Sequence, residues 1–262
     1  MRISVRPVAG TMLTGSALLL AAGCGGAART GAPAPATAAQ DAQTQASNHR
    51  CSPTQVRPTP ALAFAAVAHG TVLVYGRPGS RPLRRLGPFS PNGYPTILGV
   101  VGSQPSAGCA ASWYRVALPG PPNGDHGWVR ASTVRVQTVR MRIVVALAAR
   151  KVTLYRNGRP ILRATVTIGA PRTPTPAGRF YVTERFLLDD TTGPLGPAAL
   201  GISAHSTVLT TWAQGGPIAL HGTNEPGLLG RAASHGCIRL DNRVMRRLFA
   251  ATPAGTPVII RR

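Results

Sequence analysis

Apolar residues recur along this chain in short runs that end at glycine, proline and other turn-forming residues. The first half contains such runs at Thr71–Tyr75, Thr96–Val101 and Trp113–Leu118, and the second half at Ile143–Leu147 and Val152–Tyr155. Short apolar runs bounded by turn residues are typical of β-strands. The pattern therefore predicts a mainly β protein with two β-rich units.

The second unit also contains a predicted hairpin. Asn157-Gly158 precedes residues 161–168, and Asn-Gly readily adopts the positive φ angles of a type I′ turn. Within residues 161–168 every second position is apolar, which predicts one buried and one hydrated face. The buried face would carry Leu162, Ala164, Val166 and Ile168, and the hydrated face Arg163, Thr165 and Thr167.

One helix is predicted near the end of the chain. It begins at Asp241 or Asn242, either of which can cap its first turn. Val244 and Leu248 are four positions apart and share an inward face. A final strand, Val258–Ile260, is expected to close the sheet.

The first residues have the organisation of an export signal. Arg2 and Arg6 precede a short apolar stretch that ends at Ala22-Gly23 and is too short to cross a membrane. Residues 1–23 are therefore predicted to be a signal peptide.

Cys24 follows this stretch directly, and the sequence around it resembles a bacterial lipobox. The resemblance implies that Cys24 becomes the lipidated first residue, with an ordinary cleaved signal as the alternative. We expect an exported protein anchored on the outer side of the cytoplasmic membrane and facing the cell wall, or otherwise a secreted one. Residues 24–60 are rich in Pro, Ala and Thr and are expected to form a flexible tether.

The composition is strongly basic. The chain has 29 Lys and Arg against 7 Asp and Glu, a formal net charge of +22, which favours an anionic partner. The arginines are scattered, without dense runs or interleaved aromatic residues, so no nucleic-acid binding is expected. After the first residues no apolar stretch reaches about 18 residues, so no internal transmembrane helix is expected.

The residues that could carry chemistry lie between positions 218 and 240. His221 stands one loop upstream of Cys237, and a thiol needs a nearby base such as histidine to act as a nucleophile. His235 is two positions before Cys237, which in a strand would place both on one face. The main-chain N–H of Gly236 is a candidate donor to an oxyanion.

This stretch resembles the L,D-transpeptidase catalytic domain, also called the YkuD domain. The family fingerprint is a histidine followed, after a loop, by Ser/Thr-His-Gly-Cys, a hydrophobic residue and Asn or Arg; here it reads Ser234-His235-Gly236-Cys237-Ile238-Arg239 after His221. Thr175–Phe180 and Leu200–Ser206 also match. The resemblance covers residues 140–262 and implies a β-sandwich with a short C-terminal helix.

Residues 61–138 resemble a small bacterial SH3-like barrel, a domain that some L,D-transpeptidases carry in front of the catalytic domain. The resemblance rests on Trp113–Val116 followed by Gly127–Arg130. Trp113 and Trp128 are expected to lie in the core of this barrel.

The family resemblance implies acyl transfer between peptidoglycan stem peptides. Cys237 would attack a tetrapeptide stem and release D-Ala, and an amine of a neighbouring stem would take the acyl group in a 3-3 cross-link. His221, oriented by a main-chain carbonyl, would accept and return the proton. The backbone N–H groups of Gly236 and Cys237 would stabilise the oxyanion, and His235 would shape the site. Carbapenems are expected to acylate Cys237, and no cofactor or metal is expected.

Three further residues are expected to contact the substrate. Ser234 and Gly222 are small neighbours of the thiol and of the base. Arg239 could hold a stem carboxylate, with a structural salt link as the alternative.

The number of cysteines is consistent with an exported protein. Without Cys24, three cysteines are left, and an odd number in an exported chain indicates one free thiol. Because the motif requires a thiolate at Cys237, we expect a disulfide between Cys51 and Cys109, with three unpaired cysteines as the alternative.

Three other functions use the same residue types. A cell-wall cysteine peptidase or carboxypeptidase also needs Cys and His, but papain-like families place Cys before His in the chain. A zinc site of His221, His235 and Cys237 has suitable ligands without the paired spacing of a structural site. A non-catalytic wall-binding lipoprotein is less well supported, because both the thiol and its base are present.

Overall fold

The computed structural model describes residues 5–6, 56–105, 110–211 and 216–262. The predicted lipidation site Cys24, most of the predicted signal peptide and tether, and the predicted Cys51–Cys109 disulfide lie outside these residues. From residue 56 onward the described chain belongs to one compact unit. None of its helices is long and apolar enough to cross a membrane.

Seven antiparallel strands form the first sheet. After a short strand β1 (Val5–Arg6), they are β2 (Ala63–Ala68), β3 (Val72–Tyr75), β4 (Pro82–Leu86), β5 (Ile97–Pro105), β6 (Ala111–Ala117), β7 (His126–Arg130) and β8 (Val134–Val139). Their order is β4-β3-β7-β6-β5-β2-β8. The strands predicted in this part of the chain are confirmed as β3, β5 and β6. The assignment to an SH3-like barrel stays a prediction.

Trp113 and Trp128 do not lie in the core of this sheet, which corrects the expectation from the sequence. Val116 and Val129 are fully buried, so the alternation of the strands turns both tryptophans to the opposite face, where they are half-buried. Trp113 packs edge-on against Tyr75, with ring centroids 5.1 Å apart. The core instead contains Ala66, Ala68, Val72, Val74, Leu98, Val100, Val116, Leu118, Val129 and Val134.

The second half of the chain forms a larger sheet and one α-helix. Its elements are β9 (Met141–Ala146), β10 (Lys151–Arg156), β11 (Arg159–Thr165), β12 (Ile168–Gly169), β13 (Gly178–Leu188), β14 (Ala198–His205), β15 (Pro217–His221), β16 (Ala232–Ser234), β17 (Ile238–Arg239), α1 (Asn242–Ala251) and β18 (Pro257–Arg261). The strand order of the larger sheet is β11-β10-β9-β18-β13-β14-β15-β17, while β12 and β16 pair with each other in a separate two-stranded sheet. The prediction of a mainly β protein with a short C-terminal helix is confirmed.

The long strand β13 joins the two halves of this sheet. Its first residues, Gly178–Tyr181, pair with β18, and the residues from Val182 onward pair with β14. Strand β18, which contains the predicted final strand, also pairs in parallel with β9, so it lies inside the sheet between β9 and β13. One core cluster contains residues from β9, β10, β13, β14, β15, β17, β18 and α1. The β-sandwich assignment stays a prediction.

The Asn-Gly hairpin is confirmed. Asn157 and Gly158 have φ angles of 51° and 78°, and Arg156 pairs with Arg159 across the turn. Beyond β11 the predicted alternation fails at Thr167, which is fully buried. The chain leaves the strand at Thr165, and the Thr167 hydroxyl donates to the Leu228 carbonyl at 2.6 Å, which satisfies this polar group inside the protein.

Helix α1 begins as predicted. The Asp241 carboxylate accepts hydrogen bonds from the N–H groups of Arg243 and Val244, so Asp241 is the N-cap. Leu248 is fully buried, and Val244 is half-buried against the core. Met245 and Phe249 are also buried, which anchors the helix on the sheet.

Candidate active site

The register of two parallel strands places Cys237 and His221 near one another on the paired strands. Leu220 of β15 pairs with Ile238 of β17, and His221 pairs with Arg239. Cys237, directly before β17, therefore lies beside Ala219, whose backbone hydrogen-bonds the thiol. Ala219 and His221 are two positions apart in one strand and face the same side, so both chemical groups approach one surface of the strand pair.

A main-chain carbonyl orients His221, as the sequence predicted. Nδ1 of His221 lies 2.6 Å from the carbonyl oxygen of Gly222. Since a carbonyl can only accept a hydrogen bond, Nδ1 must carry the proton and Nε2 must carry the free lone pair. Burial, and to a smaller extent the charge of Arg239, lowers the pKa of His221 to about 4, while the bond to Gly222 opposes this shift. The imidazole is therefore a neutral base at pH 7.

The thiol of Cys237 is also neutral at rest. Burial raises the pKa of Cys237, whereas the hydrogen bond from Ala219 and the charge of Arg239 partly oppose this shift. Cys237 is half-buried and is the free cysteine of the described residues. The surroundings of Cys237 thus favour the protonated thiol, which agrees with the expectation that His221 accepts its proton.

Ser234 holds the Ser-His-Gly-Cys loop from within. Its side chain is only 2% exposed, and its hydroxyl donates to the Cys237 carbonyl at 2.6 Å. The same oxygen accepts the N–H of Gly236 at 3.1 Å. Ser234 is thus occupied inside the loop and is not open to substrate, and the Gly236 N–H expected to face an oxyanion is already bonded.

Two threonines hold this loop from outside. Thr173 donates to the Ser234 carbonyl at 2.9 Å, and Thr175 donates to the Gly236 carbonyl at 2.8 Å. Sequence reasoning noted Thr175 only as part of a matching motif and missed Thr173. Their separation of 61 residues from the loop left no local signal of these contacts.

Asn242 supports the other side of the site. Its side-chain oxygen accepts the N–H of Thr223 at 2.8 Å, next to the glycine that orients His221. A side chain at Gly222 would collide with Asn242 and Pro197, so only glycine lets the backbone pass here. Gly222 is buried, and its carbonyl orients the imidazole of His221. Its predicted contact with substrate stays a prediction.

Comparison with known proteins assigns the chain to a family. The L,D-transpeptidase catalytic domain model, YkuD, matches residues 140–260. The chain is 32% identical to YkuD of Bacillus licheniformis over 162 residues, 62% of this chain and 80% of that protein. It is 33% identical to YkuD of Bacillus subtilis over 125 residues, 48% of this chain and 68% of that protein. The chain belongs to the L,D-transpeptidase family.

Among solved structures, a cysteine-to-serine variant of the Enterococcus faecium L,D-transpeptidase is 27% identical, with a TM-score of 0.37. The match covers 46% of this chain and 49% of that one.

In this L,D-transpeptidase His235 is exposed, and it is not on a strand with Cys237. Gly236, between them, has a φ of 117°, and a side chain there would meet Ile218 at 2.9 Å. This backbone conformation, which side chains rarely adopt, interrupts the strand alternation from which a shared face was expected. His235 therefore sits at the surface of the loop.

Arg239 forms the salt link that the sequence left as its alternative role. Its guanidinium lies 2.5 Å from the Glu225 carboxylate, with side chains 18% and 54% exposed.

Within the part of the chain that the structure describes, no group of three or more His, Cys, Asp or Glu side chains is placed to hold a metal ion.

Proposed function

We propose that this L,D-transpeptidase uses Cys237 as its nucleophile and His221 as its general base. The observation that carries the proposal is the β15–β17 register, which places the thiol beside the strand that ends in the oriented, neutral imidazole. A free Nε2 lone pair next to a thiol is the arrangement that cysteine acyl transfer requires.

The proposed reaction has two acyl-transfer steps. Sγ attacks the carbonyl before the terminal D-Ala of a peptidoglycan tetrapeptide stem, and Nε2 takes the thiol proton. Cleavage of the C–N bond releases D-Ala, whose amine receives that proton, and leaves a thioester on Cys237. An amine of a neighbouring stem then attacks the thioester, and its proton returns through His221 to the Sγ leaving group, giving the 3-3 cross-link.

Proton transfer accompanies attack in this proposal. The surroundings lower the pKa of His221 and raise that of Cys237, so the neutral thiol and neutral imidazole are the resting pair. General-base assistance makes this pair reactive without a standing ion pair.

Arg239 is the proposed contact for a substrate carboxylate. The guanidinium already holds a carboxylate, that of Glu225 in the loop between His221 and Ser234. A stem carboxylate of similar geometry could replace Glu225 when substrate binds. The predicted export signal, the predicted lipidation of Cys24 and the basic charge would favour a location beside the cell wall, where such stems occur.

The test combines substrate turnover with covalent labelling. Wild-type protein with a disaccharide-tetrapeptide should release D-Ala and form a dimer detectable by mass spectrometry. A carbapenem, whose strained amide can acylate a thiol, should add once per chain, at Cys237. Cys237→Ala should abolish the adduct, and His221→Ala should slow its formation by roughly 10²–10⁴-fold.

The matched control is His126→Ala, which removes an exposed histidine of β7 in the other sheet. Its labelling rate should equal that of the wild type. Folded wild-type protein that acquires no adduct, or acquires it at another residue, would rule out Cys237 as the activated nucleophile.

A further inference from the structure

One buried hydroxyl holds the peptide bond that precedes the proposed nucleophile. Thr175 is 5% exposed; its Oγ1 accepts the N–H of Gly169 and donates to the carbonyl of Gly236, both at 2.8 Å. A hydroxyl has a single proton, and the Gly169 N–H points at an oxygen lone pair. The proton of Thr175 is therefore directed at the Gly236 carbonyl.

This contact sets the direction of the Cys237 N–H. The peptide bond between Gly236 and Cys237 is trans, since the cis bond of the described chain lies at Pro121-Pro122. In a planar trans peptide the C=O and the N–H point in opposite directions. With the Gly236 oxygen held toward Thr175, the Cys237 N–H must point away from Thr175.

The neighbouring N–H is already engaged. Gly236 donates its N–H to Ser234 Oγ, so of the two donors expected from the sequence only that of Cys237 is directed by this contact. A nucleophile's own N–H suits an oxyanion hole, because the anionic oxygen forms on the carbon that the nucleophile attacks.

We propose that Thr175 is a positioning residue that aims the Cys237 N–H at the oxyanion formed during acylation. The inference rests on the proposed role of Cys237 as the nucleophile. Thr173 supports the same loop through the Ser234 carbonyl, which also accepts the N–H of Ala170 at 2.8 Å. Thr175 acts on the reaction through the peptide plane and need not touch the substrate.

Two reactions of one thiol separate this role from a merely structural one. Acylation by a carbapenem builds an oxyanion, whereas alkylation by iodoacetamide displaces iodide and builds none. In Thr175→Val, which keeps the shape and removes the hydroxyl, acylation should fall about 10- to 100-fold while alkylation stays within about 2-fold of the wild type. Thr175→Ser, which keeps the hydroxyl, should restore most of the acylation rate.

Thr167→Val is the matched control. It also removes a buried hydroxyl that donates to a carbonyl, that of Leu228, but it leaves the Gly236 peptide untouched. Its ratio of acylation to alkylation should equal the wild-type ratio. Thr175→Ala is measured in parallel, and each variant is assayed below its own unfolding temperature.

The outcomes separate this proposal from the one on which it rests. Wild-type protein that is alkylated but never acylated would contradict the proposed nucleophile. Normal acylation of both Thr175→Val and Thr175→Ala, or an equal fall of both reactions in them, would overturn the positioning role of Thr175 and leave the nucleophile in place.

Discussion

At the scale of single residues, burial decides the chemistry of the site. His221 is 4% exposed, and its Nδ1–H faces the Gly222 carbonyl, so the protein holds the imidazole neutral and in one tautomer. The same burial keeps Cys237 protonated. Because the folded protein disfavours the charged form of His221, its free energy of unfolding should fall when the solution is acidified.

The direction of this pH dependence follows from the pKa of His221 in the folded and unfolded states. The folded protein holds His221 with a pKa of about 4, while the unfolded chain has the ordinary value near 6.5, so the unfolded chain binds more protons between these values. The free energy of unfolding should therefore fall by about 3 kcal/mol as the pH drops from 6.5 to 4 because of this residue alone.

The measurement compares wild type with His221→Asn, whose amide N–H can still donate to Gly222. Denaturant unfolding at pH 7 and pH 4 should show a smaller loss of stability in the variant, because the carboxylates that titrate in this range are common to both proteins. The same pH dependence in both proteins would show that His221 is not held neutral.

At the scale of elements, helix α1 links packing to the site. Its first residue, Asn242, accepts the N–H of Thr223, and its buried residues Met245 and Leu248 pack into the core. The cap Asp241 precedes the helix and satisfies two of its N–H groups. The first turn of α1 therefore also holds the backbone at Gly222 and Thr223, and the Gly222 carbonyl orients His221.

Removing the cap tests this element. Asp241→Ala should lower the free energy of unfolding by about 1 kcal/mol, because two N–H groups lose their partner. Arg247→Ala, on the exposed face of the same helix, should change it by less than about 0.5 kcal/mol. Thermal unfolding measures both variants, and equal melting temperatures for the two would contradict the capping role.

At the scale of the whole molecule, the two sheets are in direct contact. Asn123 in the first half donates to the His205 carbonyl at 2.7 Å and accepts the His205 N–H at 2.8 Å. Ala63 and Ala65 of β2 belong to the core cluster of the second sheet. Gly255 has a φ of 84° and lies so close to Ala65 that a side chain would collide with it. We therefore expect the two sheets to unfold together.

Two probes in different sheets can test this cooperativity. In a Trp212→Phe background, which removes the third tryptophan of the chain, Trp113 and Trp128 report on the first sheet by fluorescence. Labelling of the Cys237 thiol reports on the second. Their denaturant midpoints should coincide in this background. Asn123→Ala should move both midpoints down together, by about 1–3 kcal/mol in stability, because the His205 backbone groups lose their partner. Separate midpoints would show that the sheets unfold independently.

The sequence by itself determined the features that depend on neighbouring residues. Short apolar runs bounded by turn residues specified β3, β5 and β6, since such runs are typical of strands and the flanking residues end them. Asn157-Gly158 specified its hairpin, and Asp241 its helix cap, because both act within one turn of backbone. The motif formed by His221 and Ser234–Arg239 carried the resemblance to the L,D-transpeptidase family, and that resemblance implied acyl transfer.

Only the tertiary structure decided what surrounds these residues. The Thr175 hydroxyl donates a hydrogen bond to the Gly236 carbonyl, 61 positions along the chain. Thr167 can be buried because its hydroxyl donates to the Leu228 carbonyl, which is also 61 positions away. No local pattern encodes such contacts. The neutral state of the His221–Cys237 pair likewise follows from removal of both groups from water, which depends on the packing of strands distant in sequence. Sequence supplied the proposed reacting groups, and packing determined their protonation and orientation.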